Sequence, residues 1–184
     1  MKKTLTLLIT SFLALTINAQ IKGSASATYG ILNPKIRLQY EYPMGDRASV
    51  GATLNYYLIN WTGPKLDVFG RIYTKSTGNE EGGFFQAKVG YGNLSTLDFD
   101  ERYIKNSRWS TFGFGLAGGH KFLLGEHFII EPLIGFHIYT SPKITYTEEY
   151  SKFESDIIGT VEDIGWYLTT GLPIDFQLKF GYQF

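Results

Sequence analysis

Three histidines and one nearby serine are the side chains best suited to acid–base or nucleophilic chemistry in this sequence. His137 precedes Ser141 by four residues, and a histidine that reaches a serine hydroxyl acts as its general base in acyl transfer. The other two, His120 and His127, flank the short segment Leu124-Gly125-Glu126. The sequence has no cysteine, which excludes disulfides, thiolate metal sites and a cysteine nucleophile. Catalysis by His137 would therefore require that it meet Ser141 on an accessible face of the fold.

A glycine motif suggests a second kind of chemistry. Residues 113–118 read Gly-Phe-Gly-Leu-Ala-Gly, which matches the G-x-G-x-x-G pattern of dinucleotide-binding loops. That pattern holds a pyrophosphate only where the glycines join a strand to a helix N-terminus. Here the glycines lie within an alternating apolar segment, and no helical pattern follows them. We therefore expect no nucleotide, no metal and no other cofactor.

Charged residues recur at one parity of segments in which apolar and polar residues alternate. On one face of a sheet, such charges form either a network of ion pairs or the lining of a polar passage. The pairs that we expect are Glu131 with Lys179 on the adjacent strand, or with Arg71 across the interior. We predict a polar network in the interior of the fold that comprises Arg37, Glu41, Asp67, Arg71, Lys88, Glu131, Asp175 and Lys179.

The elements that must position these residues are strands, because the alternation has a period of two. A strand points successive side chains to opposite faces, and the final segment shows this best, with Ile174 and Phe176 opposite Asp175 and Gln177. His137 shares the parity of Glu131, so we expect it to face the same side. The pattern predicts eight strands, over Lys22–Gly30, Lys35–Tyr42, Arg47–Ile59, Leu66–Lys75, Gly83–Gly92, Trp109–Phe122, His127–Tyr139 and Pro173–Phe184.

The connections between these strands alternate in length. Short turns follow the second, fourth and sixth strands, whereas most of the other connections are longer, as in membrane barrels with short turns at one end. The predicted turns are Pro43–Asp46, Ser76–Gly82 and Leu124–Glu126. The predicted loops are Asn60–Lys65, Asn93–Arg108 and Ser141–Gly171, and the first connection, Ile31–Pro34, is the short exception.

The N-terminal residues are typical of an export signal. Lys2 and Lys3 precede the apolar stretch Leu5–Ile17, and Ala19 supplies a small residue at the cleavage site. The apolar stretch is shorter than the roughly 20 residues of a membrane-spanning helix. We predict a signal peptide over residues 1–19 and a single barrel domain over residues 20–184. Basic and acidic residues balance at 17 each, so no charge excess indicates a nucleic-acid partner.

Two features predict that the apolar face points outward. The polar face of the sixth strand is rich in small residues, such as Gly113 and Gly115, which leave room in a narrow lumen for long side chains. Aromatic residues also gather near strand ends, as in the two girdles of membrane barrels. One girdle would contain Trp61, Trp109 and Trp166, and the other Tyr40, Tyr42, Phe122, Phe128, Tyr182 and Phe184. The sequence thus predicts an all-β, eight-stranded antiparallel up-and-down transmembrane β-barrel.

The final strand, with Gly181-Tyr182-Gln183-Phe184 at its end, looks like the signal that outer-membrane assembly machinery reads. The whole chain after the signal peptide resembles the small eight-stranded OmpA/OmpX-like outer-membrane β-barrels, in a single-domain form. The resemblance implies location in the cell outer membrane of a Gram-negative bacterium, with Tyr182 and Phe184 as the assembly signal. It implies as partners outer-membrane lipid and lipopolysaccharide, the barrel assembly machinery and periplasmic chaperones. It also implies a monomer, and it transfers no catalytic residues.

Several functions stay open at this point. We favour a non-enzymatic role, structural or in surface interaction, with the lumen plugged by polar side chains. The alternatives are a narrow pore, a lipid A-modifying enzyme that uses His137, and a soluble lipid-binding barrel whose apolar face points inward. The last predicted loop contains an acidic cluster, which comprises Glu148, Glu149, Glu154, Asp156, Glu162 and Asp163. Two roles are open for this cluster: binding of divalent cations, or a solvated surface with no ligand. For Pro132, inside the seventh strand, we expect a bulge or a locally opened pairing.

Overall fold

The computed structural model describes residues 23–30, 34–58, 61–75, 81–96, 108–141 and 164–184. The predicted signal peptide lies outside the described residues, and so do the acidic cluster of the last loop and most of the connections. Residues 164–168 form a short helix, and no helix within the described ranges is long and apolar enough to cross a membrane.

The chain forms one closed barrel of eight antiparallel strands in which each strand pairs with its neighbours in sequence, and β8 closes against β1. The predicted all-β, eight-stranded up-and-down barrel is therefore confirmed. The strands are β1 Ser24–Gly30, β2 Lys35–Pro43, β3 Ala48–Tyr57, β4 Trp61–Tyr73, β5 Gly82–Thr96, β6 Arg108–Leu124, β7 Phe128–Tyr139 and β8 Ile174–Gln183.

The two ends of the barrel differ in their connections. We name the turn end after the tight turns that follow β2 and β6, and the loop end is the opposite one. In the turn after β6, Gly125 has φ 69°, a left-handed conformation that glycine adopts without steric cost. The start of β1 and the end of β8 also lie at the turn end, since Ser24 pairs with both Glu41 and Gln183.

The fourth and fifth strands extend further toward the loop end than the sequence predicted. β4 begins at Trp61 rather than at Leu66, because Gly63 and Pro64 lie within the strand and do not form a turn. The β4–β5 ladder is interrupted only between the pairs Thr62–Ser95 and Lys65–Gly92. Pro64 lies in this gap and has no N–H to donate to the ladder. The longer strand brings Trp61 and Lys65 into the barrel wall.

Pro132 lies in regular register within β7. It stands opposite Leu178 of β8, and on the other side the β6–β7 ladder is interrupted between the pairs Gly119–Leu133 and Phe122–Ile130. Both strands have two residues across this interruption, so there is no bulge. Of the two expected solutions, the structure has the locally opened pairing.

Alternation along the strands separates an apolar exterior from a polar interior. Outward side chains such as Ile72, Phe85 and Phe128 are 66%, 69% and 65% exposed. Inward positions on the same strands are buried and mostly polar, and the side chain of Arg71 is 0% exposed. The core of this protein is therefore the lumen, which contains the charged residues that the sequence singled out.

Candidate functional site

All eight residues of the predicted polar network face the lumen. Arg37, Glu41, Asp67 and Arg71 come from β2 and β4, Lys88 from β5, and Glu131, Asp175 and Lys179 from β7 and β8. Their side chains are 0–9% exposed. The strand alternation therefore brings charges that are far apart in sequence into one enclosed volume, where they form two layers.

The lower layer, toward the turn end, is centred on Glu131 and Arg71. Arg71 donates from Nη1 and Nη2 to the two carboxylate oxygens of Glu131, at 2.8 and 2.7 Å. Lys179 Nζ donates to the same carboxylate at 2.5 Å. Both of the expected partners of Glu131, on the adjacent strand and across the lumen, are thus present together. A bidentate guanidinium–carboxylate pair is among the stronger and more geometrically specific contacts in proteins.

Glu41 completes the lower layer on the other side of Arg71. Its carboxylate accepts hydrogen bonds from Arg71 Nη1 at 2.8 Å, Tyr73 Oη at 2.7 Å and Ser49 Oγ at 2.5 Å. Lys121 Nζ lies 3.7 Å from the same carboxylate. Arg71 therefore bridges two carboxylates, and Gln86 accepts from its Nε at 2.8 Å.

The upper layer, toward the loop end, gathers around Asp175. Arg37 Nη2 donates to its Oδ1 at 2.6 Å and Lys88 Nζ to its Oδ2 at 2.9 Å. Lys35 Nζ is 4.0 Å from Asp175 Oδ1, and His137 Nδ1 is 3.6 Å from Oδ2. One carboxylate is therefore shared by three cations and an imidazole.

Asp67 forms a second, compact group in the upper layer. Its carboxylate accepts hydrogen bonds from Tyr139 Oη at 2.6 Å and Asn55 Nδ2 at 2.8 Å. Lys65 Nζ lies 3.5 Å away, and also 3.6 Å from the centre of the Tyr139 ring. Each charge of this pair thus has an opposite charge and a further favourable contact.

One buried glutamine contacts each layer. Gln39 Oε1 accepts a hydrogen bond from Lys179 of the lower layer at 2.9 Å, and Gln177 Nε2 donates to Asp175 of the upper layer at 2.6 Å. Both glutamines are buried. Thr53 joins the layers, because its Oγ1 donates to Gln39 Oε1 at 3.4 Å and its carbonyl accepts from Asn55 Nδ2 of the upper layer at 3.4 Å. The polar groups therefore extend along the lumen as one connected network.

An aromatic cluster closes the lumen at the loop end. Trp61, Trp109 and Trp166 meet edge to face, with centroid distances of 4.8–6.2 Å, and they pack with Tyr57, Leu94 and Tyr139. The prediction that these tryptophans form an outward girdle is wrong. They do lie at this end of the barrel, but Trp61 and Trp166 are only 5% and 1% exposed because they point into the lumen.

The outward aromatic residues agree better with the predicted pattern at the turn end. Tyr40, Tyr42, Phe122, Phe128, Tyr182 and Phe184 are all 37–65% exposed on the outer surface. Near the loop end, tyrosines replace the expected tryptophans on the exterior, since Tyr29, Tyr56 and Tyr91 are 50–60% exposed. The apolar exterior is thus bordered by aromatic rings at both ends.

A smaller apolar cluster lies below the ionic layers, toward the turn end. It consists of Tyr73, Phe84 and Leu133, against which Ala117 packs. The guanidinium carbon of Arg71 lies 4.1 Å from the centre of the Phe84 ring. The lower ionic layer therefore has an aromatic contact beneath it, and the lumen is filled at both ends by ring side chains.

The sequence did not single out four further participants, Lys35, Lys65, Lys121 and Tyr139. Each has the inward parity of its strand, which was the signal that could have identified them. The sequence pattern places Lys65 at the end of the loop Asn60–Lys65, whereas the structure includes it in β4. With these residues included, the described part of the lumen holds seven cations, on Lys35, Arg37, Lys65, Arg71, Lys88, Lys121 and Lys179, against four carboxylates, on Glu41, Asp67, Glu131 and Asp175.

The glycine motif has a packing role in β6. Gly113 and Gly115 face inward, where a Cβ would strike the backbone and the ring of Tyr139, or His137 and Lys88. Strand β6 continues to Leu124, so no helix N-terminus follows the glycines. Among the described residues, no group of three or more histidine, aspartate or glutamate side chains is arranged to hold a metal ion.

The end of β8 carries the residues expected to act as an assembly signal. Tyr182 stacks on His127 with a centroid distance of 5.0 Å and meets Phe128 and Phe184 edge to face. The backbone N–H of Phe184 donates to the carbonyl of Gly23 at 2.9 Å. These aromatic side chains therefore form an exposed patch beside the seam at which β8 meets β1.

Comparisons with known proteins support the fold. The chain matches no protein-family model and no curated protein. Its structure is similar to the crystal structure of the N-terminal β-barrel domain of Pseudomonas aeruginosa OprF, with a TM-score of 0.58 and 12% sequence identity. The similarity covers 89% of this chain and 96% of that one. The protein therefore has the fold of an OprF-type eight-stranded β-barrel.

Proposed function

We propose that this protein is an outer-membrane β-barrel with a structural or surface-interaction role, and that its lumen does not conduct ions. The observation that carries the proposal is the filled lumen, in which two ionic layers lie between apolar clusters. An eight-stranded barrel has an interior just wide enough for side chains. In this protein the interior is occupied by the three tryptophans, the Arg71–Glu131 pair and the Phe84 cluster.

The apolar exterior supports insertion in a membrane. Most outward positions on every strand are apolar, and large apolar side chains are exposed around the whole circumference, whereas soluble monomers usually expose only small apolar patches. A closed barrel satisfies its backbone hydrogen bonds between strands, so it can span lipid. The soluble alternative is disfavoured because a carrier of apolar ligands needs an apolar cavity, and this interior contains charges.

A lipid A-modifying activity is disfavoured by the position of His137. Its side chain is buried inside the barrel, beside Asp175 and Tyr139, and 1% of the residue is exposed. A general base for an outer-leaflet lipid has to reach the lipid at the rim. The closed wall between His137 and the exterior argues against that reaction and in favour of a role for the histidine within the polar network.

The same proposal includes the partners of the barrel. The apolar exterior would contact outer-membrane lipid and lipopolysaccharide, and the exposed aromatic residues Tyr182 and Phe184 would be read by the barrel assembly machinery after delivery by periplasmic chaperones. The barrel would act as a monomer, since its strands pair only with one another and leave no open sheet edge. Surface interaction would involve residues 97–107 and 142–163.

Three experiments test the proposal. Fractionation of cells that express the full chain should recover it in the outer membrane, with heat-modifiable migration on gels. Purified barrel in planar bilayers should give no stable conductance steps above the protein-free control. Recovery of the protein only in a soluble fraction would contradict its proposed location in a membrane. Large and stable conductance steps would contradict the closed lumen. A barrel that lacks residues 97–107 and 142–163 should lose surface binding or adhesion while it still folds.

A further inference from the structure

The cations around Asp175 outnumber the negative charges that face them. Arg37 and Lys88 both hydrogen-bond to this carboxylate, and Lys35 lies at 4.0 Å from it. The other carboxylate of the upper layer, Asp67, has its own cation in Lys65 at 3.5 Å. Three cations therefore face a single carboxylate at Asp175, which leaves a surplus of two positive charges.

Two side chains in this group also have hydrogen-bonding atoms to spare. Arg37 Nη1 and both ring nitrogens of His137 are buried and have no hydrogen-bond partner among the described residues. The 3.6 Å separation of His137 Nδ1 from Asp175 exceeds hydrogen-bonding distance. Buried donors without partners are rare in folded proteins, because each one loses its hydration without compensation.

The surplus charge and the unused donors occur at the same place. Arg37, Lys88 and His137 all converge on Asp175, and their side chains are 4%, 9% and 2% exposed. An uncompensated charge in a poorly solvated interior is costly, so a counter-ion is strongly favoured there. A guanidinium, an ammonium and an imidazole N–H are all suitable donors to a small anion.

The close packing around this group favours a single-atom ion over a larger tetrahedral oxyanion. Gly115 is already so close to its neighbours that a Cβ there would fall 2.7 Å from His137 Cβ and 2.9 Å from Lys88 Cε. Tyr57, whose ring lies 4.9 Å from Lys35 Nζ, is 1% exposed and closes the group toward the loop end. We propose that the Arg37–Lys88–His137 group inside the barrel binds one halide ion, chloride under physiological conditions.

The first test measures the thermal unfolding of the full chain, refolded in detergent, with chloride replacing gluconate at constant ionic strength. A ligand that binds only the folded state raises the midpoint with the logarithm of its concentration, by roughly 3 to 5 °C per tenfold increase once the site is near saturation. Bromide should act like chloride, and sulfate should not. A midpoint that is independent of halide, or one that responds to sulfate alone, would overturn the proposal.

Two variants test where the halide binds. Lys88→Met removes one surplus cation from the group and should reduce the halide dependence at least severalfold. Lys75→Gln removes an exposed lysine beyond the end of β4 and should retain the full dependence. An unchanged halide response in the folded Lys88→Met protein would show that the ion binds elsewhere, and would also overturn the assignment.

Crystals of the wild-type barrel grown in bromide give an answer that does not depend on any variant folding. We expect an anomalous peak within hydrogen-bonding reach of Arg37 Nη1 and His137. Absence of a peak from the upper layer in well-ordered crystals would refute the site and would indicate that the lysines lose the surplus charge as protons.

Discussion

Replacing Glu131 with glutamine should destabilise the barrel far more than its small change in shape suggests. The carboxylate accepts two hydrogen bonds from Arg71 and one from Lys179. Glutamine keeps the volume but loses the charge, and its amide nitrogen brings a donor toward these cations. The lower layer would change from three cations and two carboxylates to three cations and one carboxylate.

The expected cost follows from the burial of the pair. The side chains of Arg71 and Glu131 are 0% and 4% exposed, so solvent does little to screen the charge left behind. Removing one partner of a buried ion pair typically costs about 3–5 kcal/mol. At a denaturant slope of about 2 kcal/mol per molar urea, this lowers the unfolding midpoint by roughly 2 M.

A second substitution tests whether charge imbalance is the cause. Arg71→Met in the Glu131→Gln background leaves two cations, Lys121 and Lys179, in a layer with one carboxylate, Glu41. It thus removes one unpaired charge and replaces the guanidinium with an apolar side chain. Exchanging a complete buried ion pair for uncharged groups is often close to neutral. The double variant should therefore be more stable than Glu131→Gln alone, by about 1–2 kcal/mol.

The assay is reversible urea unfolding of the refolded barrel in lipid vesicles, followed by tryptophan fluorescence. The matched control is Glu126→Gln, which makes the same chemical change in the exposed turn after β6 and should alter stability by less than about 0.5 kcal/mol. The reasoning is refuted if Glu131→Gln behaves like this control, or if adding Arg71→Met lowers stability further.

Three other predictions follow from the packing. Gly113→Ala should destabilise the barrel by about 1–3 kcal/mol, since its Cβ would strike the backbone of β7, whereas outward-facing Gly118→Ala, with its nearest atom at 3.8 Å, should be neutral in the same urea assay. Gly171→Val should displace the Trp166 indole from its buried position, detected as increased acrylamide quenching of fluorescence. Phe184→Ala should lower the heat-modifiable, assembled fraction in cells but leave refolding in vitro unchanged; equal losses in both would contradict a recognition role.

The sequence predicted most of the fold because alternation is a local signal. Each strand shows its two faces in its own residues, so the inward positions of Arg71, Glu131 and Asp175 followed without any knowledge of their partners. The register added a further constraint, since a shift by one residue would turn every one of these charges outward. Parity and register also predict the contact of Glu131 with Lys179, because the two residues lie opposite each other on adjacent strands.

The wrong predictions concern tryptophans, for which a statistical rule about residue type was used instead of the parity of the strand. Tryptophans near strand ends usually lie at a membrane interface, and this rule predicts Trp61 and Trp109 on the exterior. Trp109 has the parity of Thr111 and Gly113, so its own strand already indicated the lumen. Trp61 has the parity of Asp67, but the sequence pattern places residues 60–65 in a loop, so this parity is not visible from the predicted strand.

The composition of the charge network was harder to predict than its existence. Which cations share which carboxylate depends on distances across the lumen, and a single sequence contains no direct signal for contacts between strands that are not neighbours. The sharing of Asp175 by residues of β2, β5 and β7 is therefore a property of the folded barrel alone.

The polar contacts of β8 also limit the order in which the barrel can form. Arg37 and Asp175 are 138 residues apart in sequence, and Gln39 and Lys179 are 140 apart, so neither contact exists until β8 reaches β1. A bilayer would meet unpaired charges in any sheet that entered without its closing strand, which makes partial insertion unfavourable. Contacts between residues this far apart in sequence also slow folding, because the entropy cost of closing the chain comes before the contacts can stabilise it. If the barrel spans a membrane as proposed, we expect its strands to cross together, as a late and concerted step.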